Sequence, residues 1–352
     1  MTALRPSRRL VLAGAAALAG CDARATGEAE AADPPPLKSV APFPIGCCVW
    51  AQHLDDPVLA SLIADQVSQV TPEFQMKMEY IVQPDGSFRF DAPDRIAAFA
   101  REHGIRLFGH TLVWYAEKPD AFVHLDESRT SFRDAYVAYI TAVVGRYRGQ
   151  AVAWDVVNEA VNDDGQGWRD CLWSQKLGPL EHMRLAYETA HAADPNALLL
   201  LNDYWLERTP AKRATFLKLA EALLKAGAPL GGLGTQTHID ADLPKGAITA
   251  AIKDLASLGL PIHLSEMDVS IDRVQGFHRR GALEAAQSEL YTEAAHAFSS
   301  LPARQRFAFT TWGLRDRESW LVRDLPNDTP LLFDRDGRPK PVMRAFEAAL
   351  RG

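Results

Sequence analysis

Two glutamates each close an apolar stretch of the sequence. Glu159 ends the run 151-AVAWDVVNE-159, and Glu266 ends the run 260-LPIHLSE-266. Both runs have the character of buried β-strands, so each strand would deliver a carboxyl group at its C-terminal end. Two carboxyl groups that flank a glycosidic bond can hydrolyse it, one as general acid and the other as nucleophile. The pair therefore indicates sugar chemistry, provided that the fold brings the two strand ends together.

Polar and aromatic side chains also follow the ends of other predicted strands. Aromatic faces pack on the C–H surfaces of sugars, while amide and imidazole groups hydrogen-bond sugar hydroxyls. The residues of these types at strand ends are Glu73, Lys77, His110, Trp114, Asn158, Asn202, Tyr204, Gln236, His238, Asp268 and Trp312. No cysteine spacing resembles a zinc motif, so we expect neither a metal nor a cofactor.

Sequence context suggests a role for each glutamate. Glu159 ends an apolar strand that contains Trp154, where desolvation would favour a protonated carboxyl group, and we expect it to be the acid/base. Glu266 has His238 as a potential positioning partner, and Asp268 would orient that histidine, which favours an ionised nucleophile. The competing interpretations are a salt bridge for Glu266 and a helix N-terminal carboxylate for Glu159.

These residues lie in a regular alternation of strand and helix patterns. Apolar β-prone runs span 45–50, 66–70, 105–110, 151–157, 197–203, 232–238, 261–266 and 307–313, and helical patterns span 91–104, 129–148, 180–193, 210–227, 244–258, 280–300 and 340–351. Eight such runs predict a single (β/α)8 TIM barrel, an α/β fold. An open doubly wound sheet is the alternative, but the glycine-rich phosphate loop that usually follows its first strand is missing.

In such a barrel the active site lies at the C-terminal ends of the strands. The polar and aromatic residues at those ends would then converge on one face of the barrel. The fourth and seventh strands, which carry Glu159 and Glu266, are expected to face each other across it.

The first twenty-one residues resemble an export signal. The run 7-SRRLVL-12 resembles a twin-arginine signal, and 18-LAGC-21 resembles a lipobox whose Cys21 becomes lipidated. We expect a periplasmic lipoprotein anchored in the membrane only through Cys21; a plain cleaved signal peptide and secretion are the alternative. Residues 22–41 are predicted to form a disordered tether, and residues 42–352 the catalytic domain.

Composition limits the choice of partners. The chain has 352 residues, 47% of them hydrophobic, and a formal net charge of −7, which together with the lack of basic clusters argues against nucleic acid. Cys47, Cys48 and Cys171 are either buried thiols or include one disulfide to Cys171. No run of the sequence is long and apolar enough for a membrane span. We expect a monomer.

From about Phe43 to Ala349 the chain resembles glycoside hydrolase family 10, the retaining endo-β-1,4-xylanases. The resemblance is carried, in order, by 73-EFQMK-77, 109-GHTLVW-114, 154-WDVVNE-159, 202-NDY-204, 234-GTQTH-238, 264-LSEMD-268 and 312-WG-313 with Trp320. It implies hydrolysis of internal bonds of xylan or xylo-oligosaccharides. It also implies that Glu159 is the acid/base and Glu266 the nucleophile, which agrees with the sequence context.

The resemblance further implies which residues contact substrate. Glu73 and Trp320 would hold the next sugar on the non-reducing side, and Tyr204 would stack on the leaving-group side. The residues around the sugar that is cleaved would be Lys77, His110, Trp114, Asn158, Gln236, His238 and Trp312.

Four residues depart from the family pattern. Phe74, Met78, Tyr115 and Glu117 stand where the family usually has Asn, Trp, His and Gln, and all four are expected on the non-reducing side of the cut. Loss of a hydroxyl partner can change selectivity strongly. The alternatives are therefore local drift in a working xylanase, a decorated xylan or another β-glycan as substrate, or a non-catalytic glycan-capture lipoprotein, against which both carboxylates argue.

Overall fold

The computed structural model describes residues 34–125, 129–276 and 278–352, so the predicted export signal and Cys21 lie outside the described residues. The strands are β1 Ile45–Val49, β2 Gln69–Pro72, β3 Arg106–Gly109, β4 Val113–Trp114, β5 Ala151–Asn158, β6 Leu198–Asp203, β7 Gly232–Thr235, β8 His238–Asp240, β9 Ile262–Ser270 and β10 Arg306–Thr311. The α-helices are α1 Leu37–Val40, α2 Pro57–Gln66, α3 Met78–Ile81, α4 Asp91–Glu102, α5 Asp120–Val123, α6 Arg129–Arg146, α7 Leu172–Leu177, α8 Glu181–Ala193, α9 Pro210–Lys225, α10 Ala247–Ala256, α11 Arg280–Ser299 and α12 Pro341–Arg351. Short 3₁₀ helices span Ala51–Asp55, Ala303–Gln305, Asp316–Glu318 and Trp320–Arg323.

Eight parallel strands close into a barrel. The first strand, β1, pairs with β2 on one side and with the last strand, β10, on the other, and β10 also pairs with β9. The ring contains β1, β2, β3, β5, β6, β7, β9 and β10, while β4 and β8 are short extensions that pair with β5 and β9. The predicted TIM barrel and its eight strands are confirmed.

The strands that carry Glu159 and Glu266 are not opposite each other. Going one way round the ring, two strands, β6 and β7, separate β5 from β9. Going the other way, the path runs through four strands. The strand directly opposite β5 is β10, the neighbour of β9, so the expectation that the fourth and seventh strands face each other is wrong by one strand.

The strands are buried on both faces, which explains their continuous apolar runs. All nine residues of β9 are buried because helices cover one face and the barrel interior covers the other. A small apolar cluster of Phe108, Ala153 and Leu200 fills part of the interior. Next to it, the ring of His263 packs against Phe108 with centroids 4.5 Å apart.

The helices predicted from the sequence are confirmed, but the sequence pattern missed α2, α7 and the four-residue helices α1, α3 and α5. Helix α2 begins with Pro57, and the Asp56 side chain accepts hydrogen bonds from the backbone N–H groups of Val58 and Leu59. An Asp-Pro pair is a recognised helix start, because the carboxylate caps the first turn and proline lacks the N–H that would remain unpaired.

The C-terminal part of the predicted tether has regular structure. Helix α1 starts at Leu37, which is buried and donates its backbone N–H to Gln66 Oε1 at 3.1 Å. The predicted tether of residues 22–41 is therefore wrong at its C-terminal end, and residues 22–33 lie outside the described residues.

Two further expectations concern the cysteines and the membrane. Cys47, Cys48 and Cys171 are buried free thiols, as one of the two alternatives predicted. Within the described ranges, no helix has both the length and the apolar character that crossing a membrane requires.

Candidate active site

A cleft of about 400 Å³ lies at the C-terminal ends of the barrel strands. Twelve of its lining residues are predicted site residues: Glu73, Lys77, His110, Trp114, Asn158, Glu159, Tyr204, Gln236, His238, Glu266, Trp312 and Trp320. Asp268 does not line the cleft but lies fully buried behind His238. The barrel thus brings the whole predicted set together, and Trp205, Arg273 and Arg323 line the same cleft without having been predicted.

Glu266 lies at the centre of a charged hydrogen-bond network. The Nε2 atom of His238 is 3.4 Å from Glu266 Oε2, and its Nδ1 atom is 2.9 Å from Asp268 Oδ2. Both carboxylates are buried. This is the arrangement that the sequence predicted for the nucleophile and its positioning partners.

The two carboxylates set the charge of the histidine between them. Burial alone would lower the pKa of His238, but the negative charges of Asp268 and Glu266 raise it to about 10. The histidine is therefore an imidazolium at neutral pH. Burial would likewise raise the pKa of Glu266, but the nearby His110 and His238 hold it below its usual value. Glu266 is thus kept ionised in spite of its burial.

Asn202 connects the two glutamates through Asn158, a role that the sequence analysis did not predict. Its Nδ2 atom donates to Glu266 Oε1 at 2.8 Å and lies 3.0 Å from Asn158 Oδ1. Its own Oδ1 atom accepts from Ser265 Oγ at 2.7 Å, which fixes the orientation of the amide. The signals for this residue in the sequence were its position at the end of the fifth predicted strand and its place in the motif 202-NDY-204.

Glu159 has neutral donors around it in place of charged ones. Its Oε2 atom accepts from Trp114 Nε1 at 2.7 Å, and its Oε1 atom accepts from Gln236 Nε2 at 2.9 Å. Asn158 Nδ2 lies 3.3 Å from the same Oε1 atom. Glu159 therefore occupies a more weakly charged part of the cleft than Glu266, as suits a carboxyl group that must gain and lose a proton.

The backbone at Glu159 is held in an unusual conformation. Its φ angle is +58°, in the left-handed region that residues other than glycine rarely adopt. Its N–H donates to the Asn202 carbonyl at 2.8 Å, and its carbonyl accepts from Arg169 Nε at 2.9 Å. Neighbouring strands and a loop therefore determine how this carboxylate points into the cleft.

Trp154 does not desolvate Glu159 as the sequence suggested. Its ring packs against Tyr147, just after α6, with centroids 6.3 Å apart, and lies over Gly109 so closely that a Cβ atom there would come within 2.0 Å of it. Trp154 therefore belongs to the core between strands and helices, and the proposed reason for a protonated Glu159 is wrong, although its place in the cleft is confirmed.

His110 is fixed from below by a residue that the sequence did not single out. Its Nδ1 atom is 2.9 Å from Asp155 Oδ2, and both side chains are almost fully buried. Burial raises the pKa of Asp155 to about 6, against the lowering effect of His110. One side-chain nitrogen or oxygen atom from each of His110, Asp155 and Glu266 lies within 4.8 Å of the other two. The His110–Asp155 pair therefore contributes directly to the electric field at Glu266.

One end of the cleft is built around Glu73 and Trp320. Glu73 is buried, which raises the pKa of its carboxyl group, and its Oε2 atom lies 3.3 Å from Cys48 Sγ. Trp320 donates from Nε1 to Asp268 Oδ2 at 2.8 Å. Lys77 lies between this end and Glu159, with its Nζ atom 4.6 Å from the centroid of the Trp114 ring.

At the other end of the cleft, Tyr204 is surrounded by charged side chains. Lys212 Nζ lies 3.4 Å from the centroid of the Tyr204 ring and 2.9 Å from Asp203 Oδ1. Arg169 Nη2 donates to Tyr204 Oη at 2.7 Å and to Asp163 Oδ1 at 2.6 Å. Asp203 ends β6 and belongs to the motif 202-NDY-204, whereas Asp163, Arg169 and Lys212 were not predicted, because their contacts depend on a loop and a helix that follow different strands.

Of the four residues that depart from the family pattern, only Phe74 belongs to the rim near Glu73. Its ring stacks on Trp50 with centroids 5.7 Å apart and is 37% exposed. Tyr115 lies instead under Arg169, whose guanidinium is 4.1 Å from its ring centroid and also bonds Tyr204. Tyr115 is therefore on the Tyr204 side, which contradicts the expected placement.

Met78 and Glu117 lie below the surface of the cleft. Met78 is fully buried in the core. Glu117 Oε1 accepts from the backbone N–H of Glu79 at 2.9 Å, while Glu79 Oε1 accepts from the N–H of Lys118 at 2.8 Å. Neither residue lines the cleft, so neither contacts a sugar there directly.

Comparison with known proteins agrees with this geometry. The family model described as Glycosyl hydrolase family 10 matches residues 37–349. Endo-1,4-beta-xylanase B of Paenibacillus barcinonensis is 36% identical over 313 residues, which cover 85% of this chain and 92% of that protein. The endo-1,4-beta-xylanase of Geobacillus stearothermophilus is 36% identical, over 85% of this chain and 93% of that protein.

Other relatives are longer, and solved structures share the fold. The chain spans 45% of the length of endo-1,4-beta-xylanase A of a Caldicellulosiruptor strain, to which it is 35% identical over 85% of its own length. The structure of a thermostable mutant of the xylanase Xyn10A from Cellvibrio japonicus superposes with a TM-score of 0.82 at 31% identity, over 90% of this chain and 99% of that one. From its sequence, its barrel and its pair of glutamates, this chain belongs to glycosyl hydrolase family 10.

Proposed function

We propose that the chain is a retaining endo-1,4-β-xylanase that cleaves xylan or xylo-oligosaccharides by double displacement. One observation carries the proposal: Glu159 and Glu266 line one cleft in contrasting surroundings. Glu266 faces a cationic His238 at 3.4 Å, whereas Glu159 is bonded by the neutral donors Trp114 and Gln236. Such a contrast separates a permanently ionised nucleophile from a carboxyl group that exchanges a proton.

In the first step, Glu266 attacks the anomeric carbon as Glu159 protonates the leaving oxygen. The bond from the anomeric carbon to the leaving sugar breaks, and a covalent glycosyl ester forms on Glu266. Asn202 and His238, which bond the two oxygens of Glu266, orient the attacking carboxylate. The imidazolium also stabilises the carboxylate that is released later.

In the second step, the deprotonated Glu159 takes a proton from water, and the resulting hydroxide displaces Glu266 from the sugar. Two inversions at the same carbon restore the original β configuration. Trp114 and Gln236 stay within hydrogen-bond distance of Glu159 on either side of the transfer. The same carboxyl group therefore serves as acid and then as base.

The two ends of the cleft suit a substrate chain that continues past the cut in both directions. Glu73 and Trp320 form one end, and Tyr204 with Trp205 forms the other, so sugars can stack on both sides of the catalytic pair. Cleavage of internal bonds follows from that arrangement. The relatives from Paenibacillus barcinonensis and Geobacillus stearothermophilus are endo-1,4-beta-xylanases, which supports xylan as the substrate.

Product analysis tests this proposal. The purified protein is incubated with linear xylan, arabinoxylan, glucuronoxylan, mixed-linkage glucan and cellulose oligomers, and product lengths are followed over time. We expect short xylo-oligosaccharides from xylan, with the β-anomer formed first in NMR spectra. Formation of the α-anomer first would overturn the retaining mechanism, and binding without cleavage of any substrate would favour the glycan-capture alternative.

A different β-glycan is the second candidate substrate. The observation that favours it is Phe74, whose exposed ring stacks on Trp50 beside Glu73, where the family usually has an amide. A phenyl ring cannot hydrogen-bond sugar hydroxyls. Faster cleavage of mixed-linkage glucan than of linear xylan in the same assay would support this candidate.

We also propose that the protein is exported and held at the membrane through a lipid on Cys21, acting as a monomer. The support is the run 7-SRRLVL-12 followed by 18-LAGC-21. Mass spectrometry of the protein from membranes of an expressing bacterium would show a diacylglycerol on an N-terminal Cys21. Replacement Cys21→Ser should move the protein to the soluble fraction, and an unchanged membrane fraction would contradict the anchor.

A further inference from the structure

Two arginines line the Glu73 end of the cleft. Arg273 and Arg323 both lie against Trp320. The guanidinium carbon of Arg273 is 4.9 Å from the centroid of the Trp320 ring, and Arg323 Nε donates to the Trp320 carbonyl at 3.2 Å. Two cations therefore flank the aromatic side chain that is expected to hold a sugar on the non-reducing side.

These two arginines lack the close carboxylate partners of other arginines around the barrel mouth. Arg169 lies 2.6 Å from Asp163, and Arg208 lies 3.0 Å from Asp242. By contrast, the nearest carboxylate oxygen to Arg273 is on Asp240, at 4.0 Å. In the part of the chain that the structure describes, no carboxylate forms an ion pair with Arg323, although its charge acts to lower the pKa of Glu73 at the same end of the cleft.

Both arginines are also accessible to a ligand. The Arg273 side chain is 35% exposed, and Arg323 is exposed. A guanidinium presents several N–H groups in one plane and binds carboxylates more readily than it binds hydroxyls. A pair of accessible guanidinium groups with unused donors is therefore suited to an anionic group on the substrate.

The overall charge of the protein affects how an acidic substrate can bind. With a formal net charge of −7, the chain repels an acidic polysaccharide at long range. Glu73 and Glu266 add negative charge in the cleft itself. A substrate that carries carboxylates needs a local positive region to offset this repulsion, and Arg273 and Arg323 supply one at a single end of the cleft.

We propose that Arg273 and Arg323 form a subsite for a uronic acid branch on the part of the xylan chain that becomes the new reducing end. This inference rests on the proposed xylanase function and specifies its substrate as an acidic, uronate-decorated xylan. The carboxylate of the branch binds beside Trp320, while the backbone sugars occupy the cleft. The reaction at Glu159 and Glu266 is unchanged.

A comparison of three substrates tests the subsite. They are a linear xylo-oligosaccharide, the same oligosaccharide with one glucuronic acid branch, and the methyl ester of that branched form. The acid and its ester have nearly the same size but differ in charge. We expect the ratio of kcat/KM for acid to ester to exceed one and to fall as salt is added.

Replacement of both arginines by glutamine should remove this preference. In the variant Arg273→Gln/Arg323→Gln we expect the acid-to-ester ratio to fall by about tenfold, as suits two partly exposed charge-assisted contacts. The matched control is Arg148→Gln, an exposed arginine that precedes β5 and so lies at the opposite end of the barrel. An equal acid-to-ester ratio in wild type and double variant would overturn the proposal.

The side of the cut provides a second, independent readout. Cleavage in ¹⁸O-labelled water places the label on the new reducing end, because water attacks the sugar that is bound to the enzyme. We expect the acidic branch and the label on the same fragment. A branch found only on the unlabelled fragment would overturn the assignment, whereas failure to cleave the linear oligosaccharide would show that the proposed function is wrong.

Discussion

Asp268 sets both the orientation and the charge of His238 from beneath the cleft. Its Oδ2 atom lies 2.9 Å from His238 Nδ1 and also accepts a hydrogen bond from Trp320 Nε1 at 2.8 Å. The other ring nitrogen of His238 faces Glu266 at 3.4 Å. A residue that does not line the cleft therefore acts, through His238, on the ionisation of Glu266.

Replacement Asp268→Asn should move the acidic limb of the pH profile upward. Without the buried charge, the pKa of His238 falls from about 10, and the histidine becomes less cationic at neutral pH. Glu266 then loses part of the charge that keeps its pKa low, so it becomes protonated at higher pH than in the wild type. The measurement is kcat/KM against pH on an oligosaccharide. Asp242→Asn, an exposed change near by, is the control, and an acidic limb that does not move would contradict the coupling.

Replacement Glu266→Ala should abolish turnover. The variant lacks the nucleophile, so we expect a loss of at least about 10⁴-fold in kcat on xylan. Thermal unfolding should show that the protein remains folded. Added azide would fill the space left by the carboxylate and, with an activated aryl xyloside, give the α-glycosyl azide. Retention of normal activity in this variant would rule out the double-displacement mechanism described here.

Replacement Glu159→Ala should slow the cleavage of substrates with poor leaving groups more than that of substrates with good ones. Sugar leaving groups need protonation, whereas activated aryl groups depart as stable phenolates. We expect a fall in kcat/KM of roughly 10²- to 10⁴-fold on xylo-oligosaccharides and a much smaller one on a dinitrophenyl glycoside. Steady-state kinetics on both substrates decide the matter, and equal losses would argue against an acid role.

Replacement Glu117→Gln should stabilise the protein at alkaline pH. Burial raises the pKa of Glu117 to about 7 from its usual 4.5, so the folded state binds more protons than the unfolded state between these values. Stability that is present below pH 4.5 is therefore lost as the pH rises through 7, by an amount on the order of 3 kcal/mol.

The glutamine variant keeps the acceptor for the Glu79 N–H without this loss, so it should unfold at a higher temperature than wild type at pH 8 and at the same temperature at pH 4. The exposed change Glu102→Gln serves as the control. A melting difference that does not depend on pH would contradict this account.

The fold and the cleft could be predicted largely because buried parallel strands have continuous apolar runs. Polar residues inside those runs were harder to interpret. Asp155 and Asn202 are buried, and their partners His110 and Glu266 come from strands that are distant in the sequence. The role of such residues depends on register, which the apolar pattern does not determine.

One register shift in β5 explains why Asn158 faces the cleft although Trp154, four residues earlier, does not. The pairing of β5 with β6 is irregular between Asp155 and Val157. Strict alternation from Ala153 and Asp155 would place Val157 in the barrel interior, but the shift gives that position to Asn158. Trp154 is left facing the helices, and a bulge of this kind has no signature in the residue types alone.

The positions of Tyr115 and Glu117 were unpredictable for a different reason. Both lie in the loop after β4, whose path is held by side chain to backbone contacts such as that of Glu117 with the Glu79 N–H. Comparison with the family motif identifies Tyr115 and Glu117 as different residues. The positions of their side chains depend on contacts between two loops, which the motif does not describe.

The closed ring of strands should preserve the distance between the two glutamates when a single strand pairing is weakened. Strands β5 and β9 are joined through β6 and β7 in one direction and through β10, β1, β2 and β3 in the other. A weakened pair such as β1–β10 would leave the shorter path intact. Directed changes to specificity can therefore concentrate on the loops after β1, β2 and β10, where Trp50, Phe74 and Arg323 lie, without resetting the spacing on which bond cleavage depends.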